Sequence, residues 1–110
     1  MKPICQGKSV TQGVAIGKIV VVSESAIPFD EIDKSCILLL ENSCPVYAIL
    51  IMNAGGVIIK EGSILAHSCL LAIEMGIPCI TQVGKNISIE SGKTVLLDAG
   101  AGELYEHGAI

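Results

Sequence analysis

No arginine and no tryptophan occur in this sequence of 110 residues, and its aromatic complement is one Phe and two Tyr. Without arginine the chain lacks the planar guanidinium fork that grips phosphates and carboxylates at two points. The seven basic residues are all Lys and are scattered, and the formal charge is -4, so no cationic stripe exists for a nucleic-acid backbone. So few aromatics also leave no stacking surface for single-stranded bases. Long apolar runs are missing too: the longest, from Pro45 to Met52, falls far short of the roughly 20 residues a membrane helix needs. The Met-Lys-Pro start has neither the apolar segment nor the small-residue cleavage site of a secretory signal. The five cysteines (Cys5, Cys36, Cys44, Cys69 and Cys79) form no Cys-x-x-Cys pair and are odd in number, which argues against a disulfide or zinc framework. They read as small buried hydrophobes in a reducing compartment. The expectation is a cytoplasmic protein with no membrane and no nucleic-acid partner.

What is present is aliphatic. Hydrophobic residues make up 51% of the chain and charged ones 16%, a balance that excludes disorder and supports a core of Ile, Leu, Val and Ala. The length suits one domain over residues 1–110 and leaves no room for a second core. Glycines punctuate Gly7 to Gly17, and a β-branched run then predicts a strand from Lys18 to Ser23. Cys36 to Leu40 (CILLL) and Val57 to Ile59 are short continuous apolar runs, the signature of buried strands. Between them Pro45 opens a helix reaching Asn53, stopped by Gly55-Gly56. Glu61-Gly62-Ser63 is a turn, and a second helix is expected from Leu65 to Met75, with Gly76 as a left-handed cap and Pro78 barring continuation. Strands are expected at Cys79 to Thr81, Ile87 to Ile89, Thr94 to Asp98 and Gly102 to Tyr105, the last two joined through Ala99-Gly100-Ala101. The order implies mixed α/β layers.

One residue in this arrangement carries chemistry. His67 lies in or near the first turn of the second helix, where free backbone N–H groups and the helix dipole favour negative charge. An ordinary imidazole titrates near about 6.5, so close to neutral pH much of it is the nucleophilic free base. A His so placed can accept a phosphoryl group whose oxygens the neighbouring amides stabilise. Gly62 permits close approach of a phosphate, and Ser63 can cap the helix or contact the phosphate. Glu74 stands two turns further along, Cys69 reads as core, and His107 lies in a glycine-flanked tail. Lys60 and Lys85 border the turns beside the motif.

The segment Gly55 to Ile80, GGVIIKEGSILAHSCLLAIEMGIPCI, resembles the phosphohistidine signature of the phosphoenolpyruvate-utilising enzymes, among them pyruvate phosphate dikinase, phosphoenolpyruvate synthase and enzyme I of the sugar phosphotransferase system. That pattern, G-I-V-T-D-x-G-G-x-T-S-H-A-A-I-x-A-R-E-x-G-I-P-A-V, aligns without gaps. Its glycines fall on Gly56 and Gly62, its phosphorylated His on His67, and its later residues on Ala72, Glu74, Gly76, Ile77 and Pro78. GVAIGKIVVV (Gly13 to Val22) and TVLLDAGAGELY (Thr94 to Tyr105) resemble the opening strand and closing hairpin of the family's mobile domain. The resemblance implies a three-layer β/β/α swivelling phosphohistidine domain, with His67 catalytic and Gly62 and Ser63 at the phosphoryl group.

The departures are Lys60 for Asp, Ser63 for Gly, Leu65 and Ala66 for the Thr-Ser pair, and Ile73 for Arg. They remove a hydroxyl expected to bond the phosphoryl group and a fixed charge near the helix. No nucleotide-binding loop, carboxylate cluster or arginine clamp is visible. The expectation is therefore a stand-alone carrier that binds no cofactor or metal itself. A protein partner with a nucleotide-binding or phosphoenolpyruvate-binding domain would hold Mg²⁺ with ATP or phosphoenolpyruvate, as in a split phosphotransferase. A degenerate binding or regulatory module on the same fold is the alternative, and an excised domain of a longer enzyme a weaker third.

Overall fold

The apolar runs at Cys36–Leu40 and Gly56–Ile59 become neighbouring parallel strands in which every residue is buried. Burial on both faces is why neither run alternates. In the computed structural model, which describes residues 2–25 and 27–107, these strands are β4 and β5 of one mixed sheet. The others are β1 (Cys5–Gln6), β2 (Lys8–Ser9), β3 (Val14–Val22), β6 (Cys79–Thr81), β7 (Thr94–Asp98) and β8 (Glu103–Glu106). The order across the sheet is β1-β8-β7-β3-β4-β5-β6-β2. Strands β3 to β6 run parallel, and the remaining pairs are antiparallel.

Strands β1 and β2 are separated in the chain by Gly7 alone, yet they occupy opposite edges of the sheet. The sheet must therefore curl until its edges meet, which removes the open edges that invite misassociation. The seam admits only glycine. Gly7 N–H donates to the Gly102 carbonyl at 2.8 Å. A Cβ on Gly102 would overlap the Gly7 carbonyl, and one on Gly7 would overlap the Thr81 carbonyl.

Two cores follow from this curl. Ile19, Ile37, Leu39, Ile58, Leu97 and Leu104 fill the space inside the curled sheet. Leu38, Leu40, Val57 and Ile59 point the other way and pack with Tyr47, Leu50, Ile51 and Ala72 from the helical layer. The helices are α1 (Ala48–Asn53), entered through a 3-10 turn at Pro45–Tyr47, and α2 (His67–Met75). Sheet, sheet and helix are thus the three expected β/β/α layers, each interface with its own apolar filling.

The structure moves several boundaries. Strand β3 starts at Val14, four residues before the expected Lys18, because its first half pairs with β7 and its second with β4. Helix α2 starts at His67, since Leu65 lies in a turn and Ala66 is extended (φ -64°, ψ 154°). Residues 87–89 form no strand; Ile87 and Ile89 turn inward against the barrel core without joining a ladder. The last strand is Glu103–Glu106, because Gly102 has φ 73° and belongs to the turn. Gly76 caps α2 in the left-handed conformation (φ 67°, ψ 31°), as expected. No helix among the described residues is long and apolar enough to cross a membrane.

Candidate functional site

The parallel strands β4, β5 and β6 end on the same side of the sheet, and three connections meet there: the chain after Leu40, the loop from Lys60 to Ala66, and the chain after Thr81. Carboxyl ends of parallel strands are where an α/β sheet leaves room for ligands. The middle connection delivers His67 as the first residue of α2, with its side chain exposed.

The loop's own hydrogen bonds shape this approach. Ser63 Oγ accepts the Leu65 N–H at 3.0 Å, and the Ser63 carbonyl accepts the Ala66 N–H at 2.9 Å. Ser63 therefore closes the turn before the helix and does not cap the helix itself, which corrects that part of the expectation. The N-cap is Ala66, which offers no side-chain bond. A hydroxyl from another segment stands in: Ser43 Oγ accepts the Ser68 N–H at 3.0 Å and donates to Ser68 Oγ at 2.9 Å. Leu70 N–H reaches the Ala66 carbonyl. The N–H groups of His67 and Cys69 donate to no protein acceptor among the described residues. They are two of the first-turn donors that a helix cannot satisfy internally.

Gly62 is held from β6, where Thr81 Oγ1 donates to its carbonyl at 3.0 Å. A Cβ there would meet Ile59 Cγ2 at 3.5 Å and Thr81 Oγ1 at 3.6 Å, ordinary contacts on the inner side of the loop. Neither a positive φ nor tight space demands glycine at this position.

The lysines beside the site are engaged elsewhere. Lys60 continues the β4–β5 ladder opposite Glu41, and its Nζ lies 3.0 Å from Glu41 Oε1 with the side chain only 12% exposed. Strand alternation directs it to the side away from α2, since Ile58 faces the barrel core and Ile59 the helices. Lys85 pairs with Glu61 at 3.7 Å. Around His67 the exposed neighbours are aliphatic: Leu65 is 75% exposed and Leu70 48%. Glu74 and His107 are exposed, and the His107 N–H extends the final hairpin to the Thr94 carbonyl.

Cys69 is on the inner face of α2, fully buried as is Cys79 of β6. The neighbouring Cys69 sulfur and burial push the Cys79 thiol up, whereas hydrogen bonding from Cys79 and Thr81 draws the Cys69 thiol down, so within this buried pair Cys79 is the proton holder. Sequence reasoning missed Ser43 and Thr81. Their only local signals are a hydroxyl just before the helix-opening Pro45 and a lone Thr ending an apolar strand.

Residues 32–102 match the family described as PEP-utilising enzyme, mobile domain. The chain belongs to that family. A probable phosphoenolpyruvate synthase of Methanothermobacter thermautotrophicus is 26% identical over 108 residues, which cover 97% of this chain and 16% of that protein. The mobile domain thus spans a small part of the curated relatives it matches. Two solved structures share the fold. Aconitase X of Thermococcus kodakaraensis superposes with a TM-score of 0.72 at 18% identity, covering 94% of this chain and 98% of that one. An Enzyme I solution structure superposes with a TM-score of 0.62 at 16% identity, covering 76% and 35%. Aconitase X carries the fold under a different activity name, so for this mobile domain the architecture alone does not specify chemistry.

Proposed function

We propose that this mobile domain is a phosphoryl carrier in which His67 takes a phosphoryl group from one active site and passes it to another. The observation that carries the reading is the exposed imidazole at the first position of α2, beside the unengaged His67 N–H, in a chain of this family. An imidazole nitrogen attacks phosphorus in line as the bond to the donor's leaving oxygen breaks, so an N–P bond replaces a P–O bond. In the second half the acceptor oxygen attacks, and the N–P bond breaks. Helix-end amides stabilise the phosphoryl oxygens throughout.

A protein partner provides the rest. The chain has no arginine, and Lys60 and Lys85 are paired with carboxylates. The cations that neutralise developing charge, and the Mg²⁺ with ATP or phosphoenolpyruvate, belong in this reading to the partner's nucleotide-binding or phosphoenolpyruvate-binding domain. Gly62 and Ser63 frame the approach, Ser63 through its exposed hydroxyl. The five free thiols fit a reducing, cytoplasmic setting.

The test is incubation with labelled ATP or labelled phosphoenolpyruvate in extract from the source organism, followed by assay for acid-labile, base-stable phosphate. Label that disappears in His67→Ala is the expected result. No label, or label that survives the substitution, overturns the carrier reading and leaves a binding or regulatory module on the same fold.

A further inference from the structure

Apart from thiols and the Tyr47 phenol, the polar side chains buried among the described residues are those of Ser68 and Thr81. Both hold the loop that delivers His67. Thr81 Oγ1 binds the Gly62 carbonyl at 3.0 Å where the loop leaves β5. Ser68, at the other end, is bonded twice to Ser43 Oγ, through its N–H at 3.0 Å and its hydroxyl at 2.9 Å. The two anchors also meet each other's neighbourhood: a Cβ built on Gly62 would lie 3.6 Å from Thr81 Oγ1 and 4.0 Å from Ser43 Cβ.

We propose that Ser43 and Thr81 are positioning residues for phosphoryl transfer, two hydroxyls that clamp the Gly62–Ser68 segment so that the His67 imidazole and the free His67 N–H converge on one phosphoryl group. The inference rests on the carrier reading of His67. Burying a hydroxyl without a partner is costly, so a fold that buries the Ser68 and Thr81 hydroxyls at the two ends of this loop, the first paired with half-buried Ser43, holds the loop in a single arrangement. Ala66 cannot cap α2, and without Ser43 the helix start would lose the only side-chain bond that the described residues make to its first turn. Ser43 engages Ser68 N–H and leaves the exposed His67 amide beside it for phosphoryl oxygens. Neither hydroxyl touches phosphorus in this arrangement. Their effect is to hold donors and nucleophile in reacting geometry before the phosphoryl group arrives.

Potassium phosphoramidate phosphorylates histidine without a partner protein and serves as the probe. Wild type, Ser43→Ala, Ser43→Thr, Thr81→Val and Thr81→Ser are treated, and ³¹P NMR follows formation and hydrolysis of phosphohistidine, with His67→Ala as the blank for His107. Ser43→Ala and Thr81→Val are expected to form phosphohistidine at His67 about 3- to 10-fold more slowly and to lose it faster, the effect of one hydrogen bond each. The hydroxyl-retaining Ser43→Thr and Thr81→Ser are expected to remain within about twofold of wild type. The amide proton of His67 should move downfield on phosphorylation of wild type, and move less in Ser43→Ala. Folded Ser43→Ala and Thr81→Val proteins with wild-type rates overturn the clamp. If those variants do not fold, a wild-type His67 amide that stays put on phosphorylation overturns it. Wild type that takes no phosphoryl group at His67 overturns the carrier reading beneath it, whereas a labelled wild type with unaffected variants overturns the clamp alone.

Discussion

Gly102→Ala tests whether the sheet closes on itself through glycine, and its cost separates into parts. Gly102 has φ 73° and Gly76 φ 67°, so both positions charge an alanine about 1 kcal/mol for the left-handed conformation. Around Gly76 an added Cβ meets nothing within 4 Å, so Gly76→Ala isolates that conformational part. At Gly102 the same Cβ overlaps the Gly7 carbonyl. That carbonyl cannot retreat freely, because Gly7 N–H is bonded to Gly102 O at 2.8 Å and the Thr81 carbonyl stands against Gly7 on the other side. Overpacking adds about 1–3 kcal/mol, and a weakened seam hydrogen bond about 1 kcal/mol. The expected total is about 3–5 kcal/mol. Unfolding entropy of roughly 2.1 cal/mol/K per residue makes each kcal/mol worth about 4 °C in a chain of this size. Gly76→Ala should therefore melt about 4 °C below wild type, and Gly102→Ala about 12–20 °C below. Gly7→Ala, whose φ lies outside the left-handed region and whose Cβ overlaps Thr81 O, should lose stability by overlap alone. Thermal and guanidinium unfolding followed by far-UV circular dichroism measure all three. Equal losses for Gly102→Ala and Gly76→Ala would refute the closed seam.

Three further outcomes are expected. Lys60→Met should cost under about 1 kcal/mol, less at high salt because Glu41 is half exposed, and should leave phosphoryl labelling of His67 unchanged since the lysine points away from α2; a large loss of labelling would contradict that placement. Burial pushes the Cys5 thiol up to about 11, so its alkylation by iodoacetamide in the folded protein should be slow at pH 8 and accelerate as pH approaches that value. Peptide mapping after timed quenching reads this out, and rapid Cys5 labelling at pH 8 would refute it. The Ser35 hydroxyl and N–H hold the Asp33 carboxyl below its ordinary 3.8. A depressed carboxylate stabilises the fold above that value and ceases to as pH falls through its folded value, so the melting-temperature gap between wild type and Asp33→Asn should be present at pH 7 and close below pH 3.8. A gap that persists into strong acid would show that the carboxylate charge is not its source.

The parts legible in the sequence were those set by local chemistry. Pro45 starts the helical turn, Gly76 ends α2, and the apolar runs of β4 and β5 announce strands buried on both faces. The resemblance pattern located His67 at the start of α2, and the structure places it at the first helical residue. Local reading went astray where pairing decides. Ile87 and Ile89 alternate with polar residues as a strand would, but they find no ladder partner, so their alternation reports only which side faces the core. The two-residue strands β1 and β2 were illegible for the same reason: strands so short exist only through their partners β8 and β6.

For this mobile domain the sequence by itself determined a three-layer class, the family, and a histidine at a helix start. Only the tertiary structure decided what surrounds that histidine. A hydrogen-bond cap arriving 25 positions away, from Ser43 to Ser68, has no local signature, because the loops after β4 and β5 meet only once their strands pair in parallel. The same pairing ties Lys60 to Glu41 and directs it away from α2. Residue types and their spacing along the chain encode the helix that presents His67, whereas the register between strands chooses which hydroxyls and charges stand beside it.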